Sequence, residues 1–178
     1  EELDDAQGRA YRSAAARISY LAQDRPDIQY ASKEACCNMA RPRTSDWLRI
    51  KAIARYLQGR PRMTWWFRYQ AEPESVVATT DSDWGGQPKT ARSTSGGVLM
   101  HGDHVTKTWS VTQKHITLSS CEAELMGMSK GASEAIGLSQ MYAEWGRSRR
   151  VEVRTDSSAA IGTVHRTGNG KLRHVKIN

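Results

Sequence analysis

The chain has 178 residues, of which 38% are hydrophobic and 25% are charged, and its formal net charge is +7. This length accommodates one sizeable α/β domain with a smaller helical segment, and the composition is typical of a globular protein. No stretch is long and apolar enough to span a bilayer, and the acidic start EELDD does not resemble a signal peptide. The excess of basic residues favours a polyanionic partner, with a merely basic protein as an equal alternative.

Cysteine usage gives an expectation about the compartment. The chain has three cysteines, and two of them, Cys36 and Cys37, are adjacent. They form neither a disulfide framework nor a set with zinc-ligand spacing. We therefore expect a reduced, intracellular setting.

Three helices are predicted in the first third of the chain. Apolar residues at helical spacing indicate helices over 11–23, 26–40 and 44–57. Pro26 suits the first turn of the second helix, and Gly59 closes the third. We interpret their apolar faces as packing surfaces and assign them no catalytic role.

From residue 62 onward the pattern changes to strands alternating with helices. The aromatic run MTWWFRY at 63–69 is β-prone. Further strands are predicted at 76–80, 96–100, 105–111 and 151–155, and helices at 121–145 and 157–165. Strand pairs followed by strand–helix alternation predict a mixed sheet with helices packed upon it.

Three carboxylates stand where an active site can collect them. Asp81 ends the first of these strands, Glu124 lies in the first turn of the long helix, and Asp156 follows the last strand. Clustered carboxylates repel one another unless a cation neutralises them, and hard oxygen ligands suit Mg²⁺ or Mn²⁺. Two such ions about 4 Å apart promote phosphodiester cleavage. Taken singly, each acid has a simpler interpretation as a turn former or a helix-dipole partner.

A series of motifs in order carries a resemblance to a known family. The motifs are TDSDWGG (80–86), RSTSGG (92–97), WS (109–110), QK (113–114), LSSCEAEL (118–125) and TDSSAAI (155–161). Together they resemble the ribonuclease H region of Ty1/copia-type retrotransposon Pol polyproteins. Upstream, YL (20–21), RPDI (25–28), Trp47 and RYL (55–57) resemble the segment that joins reverse transcriptase to ribonuclease H in that family.

The resemblance implies a fold, an activity and a set of partners. It implies an α/β ribonuclease H-like domain at 71–178, with a mixed five-stranded sheet flanked by helices, preceded by a helical connection segment at 1–70. The implied activity is metal-dependent endonucleolytic hydrolysis of the RNA strand of RNA–DNA hybrids during reverse transcription. The implied partners are the hybrid and the reverse transcriptase domain of the same polyprotein, with no membrane and no small-molecule cofactor. The expected location is a cytoplasmic virus-like particle or the nucleus.

The resemblance also assigns roles to individual acids. Asp81 matches the first catalytic aspartate, Glu124 the helix glutamate, and Asp156 the aspartate after the fourth strand. Glu122 is the competing helix position, and the Ala-Glu-Leu context favours Glu124. We interpret Asp83 as a nearby supporting or surface acid.

The end of the chain departs from the family pattern. Copia-type sequences commonly carry a KHIDI-like run, whose aspartate is a fourth carboxylate, whereas RHVKI stands here at 173–177 and places Lys176 at that position. Three explanations stay open: the fourth acid lies beyond Asn178 and the domain is C-terminally truncated, the alignment shifts, or this copy is impaired. The alternative functions are therefore a catalytically impaired module that binds and positions hybrid for the polymerase, and a purely structural connection domain.

Hybrid binding is expected to depend mainly on phosphate contacts. The candidates are the basic residues around the expected sheet edge: Lys89, Arg92, Lys107, Lys114 and His115. A solvated surface charge is the simpler interpretation of each.

Other polar and aromatic residues have structural interpretations. Trp84 can stack on a sugar or base, but a partly buried structural tryptophan is the simpler expectation. His165 and His174 titrate near neutral pH and can assist proton transfer, although we favour ordinary structural roles. Ser119 and Ser120 accompany no His–Asp pattern, so helix capping explains them better than serine hydrolysis does.

Overall fold

The chain divides into two compact units in the computed structural model, Glu1–Trp66 and Phe67–Asn178. The structure describes residues 1–166. The sequence features at His174 and Lys176 lie outside the described residues. The assignment of the two units to a connection segment and a ribonuclease H domain stays a prediction.

Three helices form the first unit: α1 (Asp5–Leu21), α2 (Pro26–Cys36) and α3 (Thr44–Gly59). α1 begins six residues earlier than predicted, because the Asp4 side chain caps it by accepting a 2.8 Å hydrogen bond from the Gln7 N–H. α2 begins at Pro26 as predicted but ends four residues early. The Asn38 side chain then donates to the Glu34 carbonyl at 3.3 Å, which satisfies one carbonyl near the end of that helix.

The core of the first unit is mainly apolar, and the hydroxyl of its buried tyrosine finds a partner. Its fully buried members include Tyr11, Ile28 and Ala35. The Tyr11 hydroxyl donates to the Ala35 carbonyl at 2.7 Å, and this bond ties α1 to α2. Burial, with a further contribution from the charge of Asp46, raises the pKa of Tyr11 to about 12. These contacts confirm that the apolar faces of the helices pack together.

The second unit is a mixed sheet with helices upon it. Its elements are β1 (Ser75–Ser82), β2 (Thr94–His101), β3 (His104–Thr112), α4 (Ser120–Glu144), β4 (Arg150–Arg154) and α5 (Ser158–His165). The strand order is β3-β2-β1-β4, with β1 antiparallel to β2, β2 antiparallel to β3, and β1 parallel to β4. The prediction of an α/β fold with a mixed sheet is confirmed.

The fifth strand of the expected sheet is not confirmed. Residues 1–166 contain the four strands named above, and the aromatic run at 63–69 lies in neither a helix nor a strand. The expectation of β structure at 63–69 was wrong, whereas the five-stranded sheet stays a prediction. Trp66, Phe67 and Tyr69 are exposed, so the run lacks the alternating burial that gives a strand its apolar face.

The long helix α4 crosses the sheet at close range. A Cβ at Gly131 would lie 2.5 Å from Thr80 Cγ2, and one at Gly127 would lie 2.5 Å from Ser82 Oγ. These two glycines are four residues apart, on one face of the helix, and let its backbone approach β1. No helix in the part of the chain that the structure describes, α4 included, is long and apolar enough to cross a membrane.

Candidate metal centre

Two of the three predicted acids are brought together by the pairing of β1 with β4. The parallel register aligns Thr79 with Arg154. Asp81 and Asp156 each lie two residues beyond this aligned pair, and they therefore lie at the same edge of the sheet. Both carboxylates are on exposed residues.

The third acid comes from the first turns of α4, whose start is defined by a cap. The Ser119 side chain accepts a hydrogen bond from the Glu122 N–H at 3.2 Å, which confirms the predicted capping role of this serine. The Glu122 carboxylate in turn accepts from the Leu118 N–H at 2.6 Å. Glu122 is thus occupied with the helix start, and Glu124 is the helix acid that reaches the two aspartates.

The Glu124 carboxylate accepts one hydrogen bond at each of its two oxygens. The backbone N–H of Ser82 donates to its Oε1 at 3.2 Å, and the Thr155 hydroxyl donates to its Oε2 at 3.3 Å. Ser82 follows Asp81 and Thr155 precedes Asp156. The carboxylate of Glu124 is therefore oriented by the neighbours of the other two acids.

The three carboxylates form a compact cluster. One ligand oxygen from each of Asp81, Glu124 and Asp156 lies within 4.8 Å of the other two. Glu124 is buried, and burial raises its pKa; the charges of Asp81 and Asp156 raise that pKa further, against the hydrogen bonds from Ser82 and Thr155. Such an arrangement of uncompensated carboxylates fits a hard divalent cation, which favours oxygen ligands.

Asp83 and Trp84 organise the connection between β1 and β2. An Asp83 carboxylate oxygen accepts a short hydrogen bond from the Thr94 N–H, and the Asp83 N–H donates to the Thr94 carbonyl at 3.1 Å. Asp83 thus supports the loop that follows Asp81. The Trp84 indole N–H donates to the Thr117 carbonyl at 3.1 Å, while 58% of the residue is exposed. The tryptophan is anchored as expected, but it is less buried than the sequence predicted.

The basic residues proposed as nucleic-acid contacts are exposed at several places on the second unit. Two lie in the β1–β2 connection, one lies on β3, and two follow β3: Lys89, Arg92, Lys107, Lys114 and His115. Lys107 forms an ion pair with Glu134 of α4 at 2.6 Å. Their role in binding nucleic acid stays a prediction. His165, in the last turn of α5, is exposed.

A groove of about 470 Å³ lies between β3 and α4. Lys114 and His115 line it from the segment after β3, and Lys130 lines it from α4. Gln113 lies at its wall, with only 8% of the residue exposed. Gln113 belongs to the QK motif at 113–114, but no role was predicted for it, and no sequence pattern pointed to Lys130.

Comparison with known proteins places this chain among transposon sequences. It is 31% identical over 136 residues to the retrovirus-related Pol polyprotein from transposon RE2 of Arabidopsis thaliana, and 32% identical over 136 residues to that from transposon RE1. These matches cover 76% of the chain. It is also 32% identical over 130 residues to secreted RxLR effector protein 161 of Plasmopara viticola, of which it covers 90%. The chain is therefore similar to a region of retrovirus-related transposon Pol polyproteins.

Similarity to Pol polyproteins does not by itself assign an activity to this chain. The chain spans 9% of the length of each of the two Pol polyproteins. Neither a protein-family model nor a solved structure matches it. The Pol-related chain must therefore be interpreted from its own site.

Proposed function

We propose that this Pol-related chain hydrolyses the RNA strand of RNA–DNA hybrids by a metal-dependent, ribonuclease H-type reaction. The observation that carries the proposal is the meeting of Asp81, Glu124 and Asp156, whose ligand oxygens lie within 4.8 Å of one another. The four-stranded mixed sheet is consistent with a ribonuclease H-like fold. The transposon Pol relationship supports a role in reverse transcription.

The donor set determines which cofactor the site suits. Three carboxylates favour Mg²⁺, with Mn²⁺ as the second choice, and two ions fit the proposed reaction. When bound, the cations supply charge stabilisation and an activated water for phosphodiester cleavage. In the proposed reaction, water adds to phosphorus, the P–O3′ bond breaks and the 3′ oxygen takes up a proton. The products carry 5′-phosphate and 3′-hydroxyl ends.

The side chains of the cluster have different parts in this proposal. Glu124 is buried and held by two hydrogen bonds, so it is the fixed ligand of the set. Asp81 and Asp156 are exposed, so a nucleic acid can reach them. Rigid support of a carboxylate by neighbouring donors is typical of metal sites, because the support keeps the ligand in the orientation that binds.

The proposal extends to partners. We propose the RNA–DNA hybrid as the substrate, and the reverse transcriptase domain of the same polyprotein as the partner. The helical first unit, Glu1–Trp66, is proposed as the connection segment. Lys89, Arg92, Lys107, Lys114 and His115 are proposed to contact phosphates of the hybrid, because exposed basic side chains attract the backbone of a nucleic acid.

A cleavage assay tests the activity. The full chain is incubated with an end-labelled RNA–DNA hybrid in Mg²⁺ and, in parallel, in EDTA, with single-stranded RNA and double-stranded DNA as control substrates. Cleavage of the hybrid only, and only with the metal, is the expected result. The variant Asp81→Asn should lose cleavage, because one charged ligand of the cluster becomes neutral.

The control variant is Asp103→Asn, which makes the same replacement of one carboxylate oxygen by NH₂ at an exposed aspartate in the β2–β3 turn. It should cleave as the wild type does. Full activity in Asp81→Asn would refute the assignment of that residue. Tight hybrid binding without cleavage in the wild type would instead support the impaired binding module, and no affinity beyond a salt-sensitive background would support a purely structural domain.

A further inference from the structure

We propose that Gln113 is a positioning residue that sets Glu124 against the two aspartates by clamping the start of α4 to β1 and β2. This inference rests on the proposed function for its consequence in metal binding. The clamp itself depends only on three contacts of a single side chain.

The amide nitrogen of Gln113 reaches three elements. Its Nε2 lies 2.8 Å from the Ala123 carbonyl of α4, 2.8 Å from Ser95 Oγ of β2, and 3.4 Å from Ser82 Oγ of β1. A carbonyl oxygen only accepts hydrogen bonds, so the atom facing Ala123 must be the donor nitrogen of the amide. The orientation of the Gln113 side chain is therefore determined by chemistry.

The contacts lead directly to Glu124. Ala123 is the preceding residue in α4, and Ser82 carries the backbone N–H that donates to Glu124 Oε1 at 3.2 Å. Gln113 thus holds the helix just before Glu124, and it also contacts the residue whose backbone orients the Glu124 carboxylate. The Gln113 side chain touches neither the three acids nor any ligand oxygen in the contacts described, so its effect is indirect.

The polar contacts beneath the cluster form one connected set. Ser82 Oγ and Ser95 Oγ lie 3.3 Å apart, and the Gln113 backbone N–H donates to the Ser93 carbonyl at 2.8 Å. Gln113 is 8% exposed and Ser95 is 2% exposed, so water competes little for these donors and acceptors. Hydrogen bonds inside such a buried set are strong, and losing one donor leaves buried acceptors without partners.

The close packing of α4 on β1 brings Ser82, one of the Gln113 contacts, against the helix. Ser82 Oγ lies 2.5 Å from the position that a Cβ at Gly127 would take, so the Ser82 side chain occupies the space that this glycine leaves. The directional bond from Gln113 to Ala123 adds a restraint along the helix axis, one residue away from Glu124.

The test compares Gln113→Met with Ser139→Ala in the full chain. Methionine keeps the length of the unbranched side chain and removes both N–H donors. Ser139 makes the matched contact at the far end of the same helix, where its hydroxyl donates to the Arg149 carbonyl at 2.8 Å. Mn²⁺ affinity is measured from the free-ion EPR signal, and hydrogen exchange is measured along α4.

We expect Gln113→Met to weaken Mn²⁺ binding about tenfold or more, as removal of the groups that support metal ligands typically does. Its amide exchange should accelerate in the first two turns of α4 and stay unchanged in the last two. Ser139→Ala should show the reverse exchange pattern, with Mn²⁺ affinity within about twofold of the wild type. Unchanged exchange near Glu124, or an equal loss of Mn²⁺ affinity in both variants, would overturn the clamp.

Two further outcomes are separated by the same design. If the wild type binds no Mn²⁺, the proposed function fails, and the exchange pattern alone still decides whether Gln113 holds the helix start. If Gln113→Met does not fold, Ser95→Ala takes its place, because it removes the acceptor at 2.8 Å that orients the amide. That variant should accelerate exchange in the same two turns of α4, and no change there would refute the clamp.

Discussion

The backbone N–H of Ser82 and the carboxylate of Glu124 are joined by a hydrogen bond of 3.2 Å that links the end of β1 to α4. Because the donor is a backbone group, no substitution at Ser82 other than proline removes it. The negative charge of the Glu124 carboxylate nevertheless remains poorly compensated. Burial, together with the charges of Asp81 and Asp156, raises its pKa, and the two hydrogen bonds it accepts only partly oppose this.

The raised pKa of Glu124 predicts a pH-dependent stability. The folded protein binds the Glu124 proton more tightly than the unfolded chain does, so this residue stabilises the fold at pH values below its usual pKa of 4.5. That contribution is lost as the pH rises through the folded pKa. In EDTA, Glu124→Gln should therefore have nearly the wild-type melting temperature at low pH and a higher one at neutral pH.

Melting curves of both proteins between pH 3.5 and 8 check this expectation. Glutamine keeps an oxygen that can accept from the Ser82 N–H, so the comparison isolates the charge. A melting temperature of Glu124→Gln below that of the wild type at neutral pH would contradict the direction of the shift.

Divalent metal should stabilise the fold through the same cluster. A ligand that binds the folded state alone stabilises it by about 2.7 kcal/mol when its concentration is 100 times its dissociation constant. We expect Mg²⁺ to raise the melting temperature of the wild type and to leave Asp81→Asn almost unchanged. Without metal, Asp81→Asn should be as stable as the wild type or more so, because one repulsive charge beside Glu124 is gone.

Thermal melts with increasing Mg²⁺ measure this difference, with Na⁺ at matched ionic strength as the control. Asp103→Asn, which changes an exposed turn residue, should respond to Mg²⁺ as the wild type does. An equal Mg²⁺ response in Asp81→Asn would show that the ions bind elsewhere.

The fold was predictable from the sequence where periodicity is strong. The four strands and α4 lie within a few residues of the positions that alternation and capping indicate. The aromatic run at 63–69 misled the prediction, because its β-propensity reflects residue types that favour a half-buried surface and its large side chains are exposed here.

The acids of the candidate site were predictable from the sequence, whereas the residues that hold them in place were not. Asp81 and Asp156 stand at strand ends, and the choice of Glu124 over Glu122 agrees with the geometry because the Leu118 N–H engages Glu122. The links from Gln113 to Ala123 and from Thr155 to Glu124 join residues 10 and 31 positions apart. Such pairings depend on how α4 is placed on the sheet, which no local pattern encodes.

The close approach of α4 to β1 predicts opposite effects on stability for alanine substitutions at two glycines of the same helix. A Cβ at Gly131 would lie 2.5 Å from Thr80 Cγ2 and 3.3 Å from Ala78 Cβ, whereas one at Gly137 would meet nothing within 4 Å. Alanine in place of glycine gains about 0.8–1 kcal/mol of helix propensity at either position. The free energy of unfolding of Gly137→Ala should therefore exceed that of the wild type by about that amount.

Gly131→Ala must also displace the helix or the strand, and such overpacking costs about 1–3 kcal/mol. Because the propensity gain is common to both variants, the difference between their unfolding free energies measures the clash alone. Urea unfolding of the two variants gives that difference. Equal stabilities would mean that α4 moves away from β1 without cost, and Glu124 would then have no fixed distance from Asp81.

The groove between β3 and α4 predicts which lysine contributes most to nucleic-acid affinity. Lys114 is exposed and lines the groove, whereas Lys107 is paired with Glu134 at 2.6 Å. Each phosphate that a cationic side chain neutralises contributes about 0.9 to the slope of log affinity against log salt concentration for a duplex. Lys114→Gln should reduce that slope for an RNA–DNA hybrid by about 0.9.

Lys107→Gln should reduce the slope less, because the charge of Lys107 is already partly compensated and Glu134 retains its ion pair with Lys130 at 2.5 Å. Lys51→Gln, an exposed lysine on α3, serves as the control with an unchanged slope. Fluorescence anisotropy in EDTA, where the proposed cleavage cannot proceed, measures the slopes; a larger decrease for Lys107→Gln than for Lys114→Gln would contradict the placement of the phosphate backbone along this groove.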